Sequence, residues 1–517
     1  MAETAPPPSD ATVAPPFHAP PARAPASGRA PAPAVSACPL VVDLDGTLVR
    51  CDTLGEAVFA LARSWRLFPT LGLLATTGRA AFKRRVARLA PPAAALLPYN
   101  TALLAYLHAQ KAAGRRLVLA TASDRTVADA VAAELGLFDE VLASDGKTNL
   151  KGAAKAQALV SRFGAGGFAY AGDSRADLPV WRAAAAAVLV NVSPAIAGQV
   201  RQHVPVEYAL DDRVPQLAAL WRAMRPHQWT KNLLVLVPLL TAHAYGDPRA
   251  WHGAVLAFLA FCATASGLYL FNDLLDLAAD RAHRRKRQRA FASGRVPVAR
   301  GVALAGVLVA LGAALGVAAG AWWVIGLYAA TTAAYSLKLK ELPLVDVFCL
   351  AAFYTLRLFG GGEASGHLVS LWLLGFSSFL FLSLALVKRV EELTAVPGAV
   401  AEAGAGPAFA PARRGYTRAD AAILQMFGCA ASFASCIVLA LFVQSEATAQ
   451  TYASPPMLWG MVPLFLFWQC RLWLSTARGY MHEDPIVYAA RDWVSWSVGA
   501  ALVLLLVLAH SVTWFPG

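Results

Sequence analysis

The chain has 517 residues, of which 57% are hydrophobic and only 15% charged, whereas a soluble domain carries about a quarter charged residues. Much of its length therefore belongs in lipid, and collagen-like, disulfide-rich secreted and wholly disordered classes are excluded. In so apolar a chain the net charge of +13 suits anionic headgroups or phosphate-bearing substrates rather than nucleic acid. The seven cysteines are scattered without a CxxC pair, which supports neither a zinc site nor a disulfide framework.

Residues 1–37 consist almost entirely of Ala, Pro, Ser and Thr, with ten prolines. Such a segment cannot bury enough apolar surface to offset its ordering entropy, so a disordered tail is expected. Residues 38–204 change to short apolar runs that end at acidic or hydroxyl residues: PLVVDLD, RLVLATAS and GFAYAGDS. Helical Ala/Leu/Arg stretches alternate with them, the pattern of a soluble α/β domain with a doubly wound parallel sheet. Residues 53–97 interrupt the first two strands and read as a small helical cap. A linker follows over 205–224.

From 225 to 517 the chain becomes an all-α polytopic membrane bundle. Nine apolar stretches approach the length needed to cross a bilayer, near 229–246, 251–271, 301–319, 321–337, 344–360, 369–387, 420–443, 457–474 and 494–513. The loops around 272–300, 338–343, 388–419 and 475–492 concentrate Lys and Arg, while the opposite loops hold only Arg249. By the positive-inside rule those four loops and the N-terminal domain face the cytoplasm.

The soluble domain carries four chemical groups in chain order. VVDLDGTL places Asp43 and Asp45 just past a buried strand, where one carboxylate can attack a phosphoryl group while the other protonates the leaving oxygen. Thr121 follows RLVLA and offers a hydroxyl to phosphate. Lys151 in NLKG supplies a cation, and AGDSRAD adds Asp173 and Asp177, hard oxygen ligands suited to magnesium. The set DxD…T…K…GDxxxD resembles the haloacid dehalogenase phosphatase superfamily over about 39–204. The resemblance implies Asp43 as nucleophile, Asp45 as general acid/base, and one Mg²⁺ held among Asp43, Asp45, Asp173 and Asp177. The cap of such a domain sets substrate choice. Its apolar residues, Phe82 among them, either form the cap's own core or lie against membrane or lipid.

In the membrane region the richest ionisable segment is FNDLLDLAADRAHRRKRQRAFASG, Phe271 to Gly294. On one continuous helix Asn272, Asp273, Asp276 and Asp280 share a face about 100° wide. Clustered carboxylates call for a divalent cation or a cationic partner, and magnesium bridging a diphosphate satisfies that need. Lys286, Arg287 and Arg289 follow as candidate phosphate clamps. NDxxDxxxD resembles the UbiA superfamily of membrane transferases over about 222–515. The second aspartate-rich motif usual in aromatic-acceptor members is missing: YSLKLKELPLVDVFCLAAFYTLRLFGGG presents Asp346 with Tyr335, Lys340 and Arg357 instead. With RPHQWTKN (including Lys231 and Asn232) and LSLALVKRVEEL (including Lys388 and Arg389), it is similar to the decaprenyl-phosphate phosphoribosyltransferase branch. That branch uses phosphoribosyl diphosphate (PRPP) as donor and polyprenyl phosphate as acceptor. The resemblance implies Asp273, Asp276 and Asp280 as a catalytic Mg²⁺ site and the named polar and basic residues as substrate contacts.

Transfer from PRPP leaves a 5-phosphate on the lipid-linked sugar, and a phosphatase in the same chain is well placed to remove it. The expectation is a bifunctional multi-pass enzyme of the bacterial cytoplasmic membrane, compatible with a homo-oligomer, that makes polyprenyl-phosphate ribose for cell-envelope or glycan pentosylation. The competing readings are an aromatic prenyltransferase with an unrelated phosphatase, or a transporter or scaffold with a regulatory domain. The missing second aspartate motif and the Lys/Arg at the cytoplasmic edge argue against the first, and a transporter or scaffold would not need Asp273, Asp276 and Asp280 on one helix face.

Overall fold

The computed structural model describes residues 38–61, 70–71, 78–213, 215–283, 286–394, 415–481 and 485–512. The tail, most of the cap's middle and the pair Arg284–Arg285 lie outside these. The first part is a six-stranded parallel sheet ordered β3-β2-β1-β4-β5-β6. Its strands are β1 (Leu40–Val42), β2 (Leu117–Asp124), β3 (Glu140–Ser144), β4 (Ala169–Gly172), β5 (Ala186–Val190) and β6 (Val206–Leu210). The sheet thus continues past residue 204. In β1, Leu40 and Val42 enter one apolar cluster and Val41 the other, because successive side chains point to opposite faces. With both faces covered the strand is wholly buried, which is why it reads as an uninterrupted apolar run.

Strand order reverses at β1, between β2 and β4, and ligands of doubly wound sheets sit outside the carboxyl ends of strands at such a point. After β1 comes the helical cap, of which α1 (Thr53–Leu61) and α2 (Gly78–Leu89) are described. Phe82 packs with Ala57, Leu61 and Val86 in a core of the cap's own. The sheet's layers are completed by α3 (Thr101–Ala112), α4 (Arg125–Leu135), α5 (Ala153–Phe163), α6 (Leu178–Ala183) and α7 (Pro194–Arg201). A connecting helix, α8 (Gln216–Ala223), leads to the second part.

Among the described residues that part contains seven helices long and apolar enough to span a membrane. They are α9 (Pro248–Leu275), α11 (Val298–Ala318), α13 (Val345–Ser365), α14 (Leu371–Thr394), α15 (Asp420–Val443), α16 (Met461–Ala477, counted as a span from Pro455) and α17 (Trp493–Ser511). Two of the nine expected stretches take other forms. The fourth is a 16-residue helix, α12 (Trp322–Leu337). The first is a 3-10 helix over Pro226–Leu236 followed by a short α-helix, Val237–Thr241. Pro238 lacks the amide donor that one helix running through the whole stretch would need, and Lys231 and Asn232 are buried here. Non-helical backbone at membrane depth is tolerated where it lines a polar cavity, and Lys231 lines one.

The aspartate-rich segment also departs from one straight helix. α9 ends at Leu275, Asp276 (φ −93°, ψ 11°) interrupts the helix, and α10 (Leu277–Ala282) follows.

Candidate active sites

The first site lies at the carboxyl end of β1. Asp43 amide donates to Ala171 O of the neighbouring strand at 3.0 Å, which fixes its side chain over the switch point. The next turn requires Gly46, with φ of 79° and space so limited that a Cβ there would lie 2.3 Å from Asp173 Oδ2. Asp43 Oδ1 accepts from the Leu44 amide at 2.8 Å and from Lys155 Nζ at 2.8 Å. Lys155 also donates to Tyr170 Oη at 2.9 Å and lies 3.8 Å from Asp177 Oδ1. Asp177 is held by Tyr170 Oη at 2.8 Å and by the Ser174 hydroxyl at 3.0 Å.

Carboxylate oxygens of Asp43, Asp173 and Asp177 converge within 4.8 Å of one another. This hard, anionic oxygen set fits magnesium. Burial, together with repulsion from Asp177 and only partly offset by Lys155, raises the Asp43 carboxyl to about 6. Burial and the charges of Asp177 and Asp43 raise Asp173 to about 7. Asp45 points away from this trio. Its Oδ1 accepts from the Thr53 amide at 2.8 Å and its Oδ2 from Ser123 Oγ at 2.5 Å, while burial raises its pKa. Asp43 is thereby set among candidate cation ligands, while Asp45 is held by Thr53 and Ser123.

Thr121 is buried within β2, three residues before its end, its Oγ1 accepting from the Ser123 amide at 3.0 Å. Lys151 does not occupy the expected position. It is exposed before α5, whereas Lys155, one helical turn later, reaches the carboxylates. The signal was present in the spacing: Lys155, Ala156 and Leu159 form the buried face of α5, and Lys151 precedes that helix. The cap contributes Lys83, which donates to Ala122 O at 2.7 Å and Asn149 Oδ1 at 2.8 Å, above Asp45.

The second site gathers at the end of α9. Asp273 accepts from Arg225 at 2.5 Å and from Arg289 Nη1 at 3.0 Å. The same Arg289 Nη1 lies 2.8 Å from Asp280 Oδ2. Asp276 accepts from Lys340 Nζ, 3.0 Å from both its oxygens, and from Asn272 at 3.2 Å. One cationic nitrogen thus stands between Asp273 and Asp280, showing that this pair accepts a cation. Asp276 is turned aside to Lys340. Lys286 lies on the 3-10 turn Lys286–Gln288, near enough to act on Asp280, and Arg287 is exposed there.

Beside Asp273 opens a cavity of about 500 Å³ lined by Arg225, His227, Gln228, Lys231, Tyr269, Lys388, Val487 and Arg491. Arg225 stacks on Tyr269, 5.0 Å from the ring centre, and Lys231 lies over Tyr354. Arg225 and Arg491 were absent from the expected contacts, although Arg225 opens the RPHQWTKN segment. Other expected contacts bind one another. Arg357 donates to Asn232 Oδ1 at 2.7 Å and to Tyr328 Oη at 3.3 Å within an aromatic cage. Asp346 and Arg389 form an ion pair almost devoid of exposure, with Tyr416 Oη donating to Asp346 at 2.6 Å. Tyr335 packs edge-on against Phe353.

Residues 233–479 match the UbiA prenyltransferase family and residues 40–182 the haloacid dehalogenase-like hydrolases. The chain belongs to the UbiA prenyltransferase family, with a haloacid dehalogenase-like domain before it. It is 36% identical over 481 residues to uncharacterized protein y4nM of Sinorhizobium fredii, covering 91% of each chain. It is 35% identical to nodulation protein NoeC of Azorhizobium caulinodans, over 56% of this chain and 90% of that one. It is 38% identical to decaprenyl-phosphate phosphoribosyltransferase of Corynebacterium glutamicum, over 33% of this chain and 54% of that one. This UbiA member is therefore a multi-pass membrane protein with a dehalogenase-like unit in the same chain.

Proposed function

We propose that the chain is a bifunctional enzyme of the bacterial cytoplasmic membrane, with its N-terminal domain in the cytoplasm. The UbiA part transfers 5-phosphoribose from PRPP to a polyprenyl phosphate, and the dehalogenase-like part removes the 5-phosphate to give polyprenyl-phosphate ribose. The observation that carries this reading is the cavity lined by Arg225, Lys231, Lys388 and Arg491 beside Asp273. Four cations and no carboxylate line it, a composition suited to two phosphate-bearing substrates. The similarity to decaprenyl-phosphate phosphoribosyltransferases supports the same substrate pair.

In the transfer, an oxygen of the lipid phosphate forms a bond to the anomeric carbon as the carbon–oxygen bond to diphosphate breaks. The diphosphate departs with the electron pair, and no proton need move because the acceptor is already anionic. Arg225, Lys231, Lys388 and Arg491 balance the charge of donor and acceptor and hold them in line. Asp273 and Asp280, with Asp276 on the adjoining turn, are the oxygen donors that would hold magnesium. Magnesium would there neutralise the charge developing on the diphosphate.

In the hydrolysis, an Asp43 oxygen attacks the phosphorus while the bond to the sugar 5-oxygen breaks. Asp45 gives its proton to that oxygen. Asp45 then takes a proton from water, whose oxygen attacks the aspartyl-phosphate, releasing inorganic phosphate and restoring Asp43. Lys155 favours the ionised form of Asp43, and Asp43, Asp173 and Asp177 would hold the magnesium that screens the phosphoryl oxygens. The test is incubation of membranes containing the protein with polyprenyl phosphate and ribose-labelled PRPP. Label should appear in a lipid carrying ribose without its 5-phosphate. Label that stays in water while an isoprenyl diphosphate and an aromatic acid are consumed would overturn the reading.

A further inference from the structure

The cap helix α1 serves both sites. Its first residue, Thr53, donates its amide to Asp45 and lies 3.0 Å through its hydroxyl from Ser123, the other partner of Asp45. One turn later Glu56 accepts two bonds from Arg281, at 2.8 and 2.6 Å, with both side chains only 8% exposed. Arg281 follows Asp280 directly, and its Nε donates to Ala292 O at 3.0 Å, so the guanidinium is fixed at three points. Phe59, on the same helix, meets Phe271 edge-on at 6.2 Å, just before Asn272 and Asp273. Phe59 also packs against a cluster containing Ala219 and Ala223 of α8 with Leu270, Leu274 and Phe291. At the base of the cap, Gly294 (φ 71°) approaches Arg50 so closely that a Cβ would lie 2.7 Å from Arg50 Cβ.

A buried, bidentate carboxylate–guanidinium pair is strongly directional, and removing one member strands the other without compensation. Nothing in either reaction requires charges at Glu56 or Arg281, since neither touches a candidate reacting group. Their placement joins the helix that anchors Asp45 to the turn that carries Asp280. We infer that Glu56 and Arg281 are positioning residues that couple the two sites: the acid/base carboxylate of the phosphatase is set in place only while its cap is docked on the aspartate-rich turn of the transferase. Coupling of this kind is reciprocal, so disturbing the pair also disturbs Asp280. This inference rests on the phosphatase reading above but not on the identity of the lipid substrate.

The experiment uses the full-length protein in detergent or nanodiscs with p-nitrophenyl phosphate, a soluble phosphomonoester that needs no transferase step. Glu56→Arg and Arg281→Glu should each lower kcat at least tenfold with KM within about twofold, because phosphate binding is untouched while Asp45 loses its anchor. The swapped double variant, Glu56→Arg with Arg281→Glu, should recover most of the lost kcat. Single variants that hydrolyse at the wild-type rate overturn the inference. If the single variants fail to fold, the double variant decides: recovery supports the coupling pair, and a folded double variant without recovery, or one that also fails to fold, overturns it. A wild-type protein inert toward any phosphomonoester defeats the phosphatase reading itself, and this inference with it.

Discussion

Lys155 sits 2.8 Å from Asp43 and 3.8 Å from Asp177, with 2% of its side chain exposed. Without it three converging carboxylates lose their only cation among the described ion pairs. Lys155→Met should therefore lower phosphomonoester hydrolysis by about 10²–10³-fold, the range for removing one preorganised electrostatic partner. Lys151→Met, on the exposed side of the loop, should stay within about tenfold of wild type, and comparing the two kcat values checks the assignment. The same cluster gives a signed pH effect. Asp43 at about 6 and Asp173 at about 7 stand above the ordinary aspartate value of 3.8. Between those values the folded state holds more protons than the unfolded chain, so stability falls as pH rises through the folded values. Magnesium binding requires the deprotonated carboxylates and reverses the loss. Thermal unfolding followed with and without magnesium should show a larger stabilisation at pH 8 than at pH 5. Equal shifts at both pH values would remove the cluster as the magnesium site. Aspartates of DLDGT and GDSRAD were legible from the sequence because their spacing is local. The lysine was legible only through the helical spacing of Lys155 with Ala156 and Leu159, which selects position 155 over 151 once the start of α5 is placed.

At the scale of elements, α14 presents two adjacent basic residues to different surroundings, as a rotation of about 100° per residue demands. Lys388 lines the cationic cavity, whereas Arg389 turns into the core and pairs with Asp346 of α13. Lys388→Ala should raise KM for PRPP or for polyprenyl phosphate while leaving folded yield near wild type. Arg389→Ala strands a buried carboxylate, a change that costs about 3–5 kcal/mol, and should cut folded yield and thermal stability instead. The measurement is paired: KM from labelled transfer, and melting temperature of the purified protein. From sequence alone both residues are expected to grip substrate, because a KR pair at a cytoplasmic helix end announces positive charge but not direction. The parallel sheet and the apolar spans were legible from their periodicity. The turn at Asp276 was not, since it depends on a polar partner distant in sequence, Lys340, and of the broken first span only Pro238 was legible, not the placement of Lys231 over Tyr354 of α13.

For the whole molecule, two candidate sites occupy one chain in a fixed order, with the connecting helix α8 sharing an apolar cluster with Phe59 of the cap and the aspartate-rich end of α9. If hydrolysis follows transfer, the order of intermediates is imposed: the lipid-linked sugar must exist before its 5-phosphate can be removed. Inactivating each site separately should then give different products rather than a common loss. Asp280→Asn removes one of the two carboxylates that share Arg289 and should reduce label transfer to lipid by orders of magnitude, while p-nitrophenyl phosphate is still hydrolysed. Asp43→Asn removes the attacking oxygen, so no aspartyl-phosphate forms and hydrolysis of any phosphomonoester should cease. Transfer in that variant should persist, and membranes lacking other phosphatases should accumulate a labelled lipid that keeps its 5-phosphate. Chromatography of the extracted lipid before and after treatment with an external phosphatase distinguishes the two species by charge. Equal amounts of the 5-phosphorylated lipid from wild type and Asp43→Asn would break the proposed sequence, leaving the N-terminal domain to act on a different phosphoester at the same membrane face.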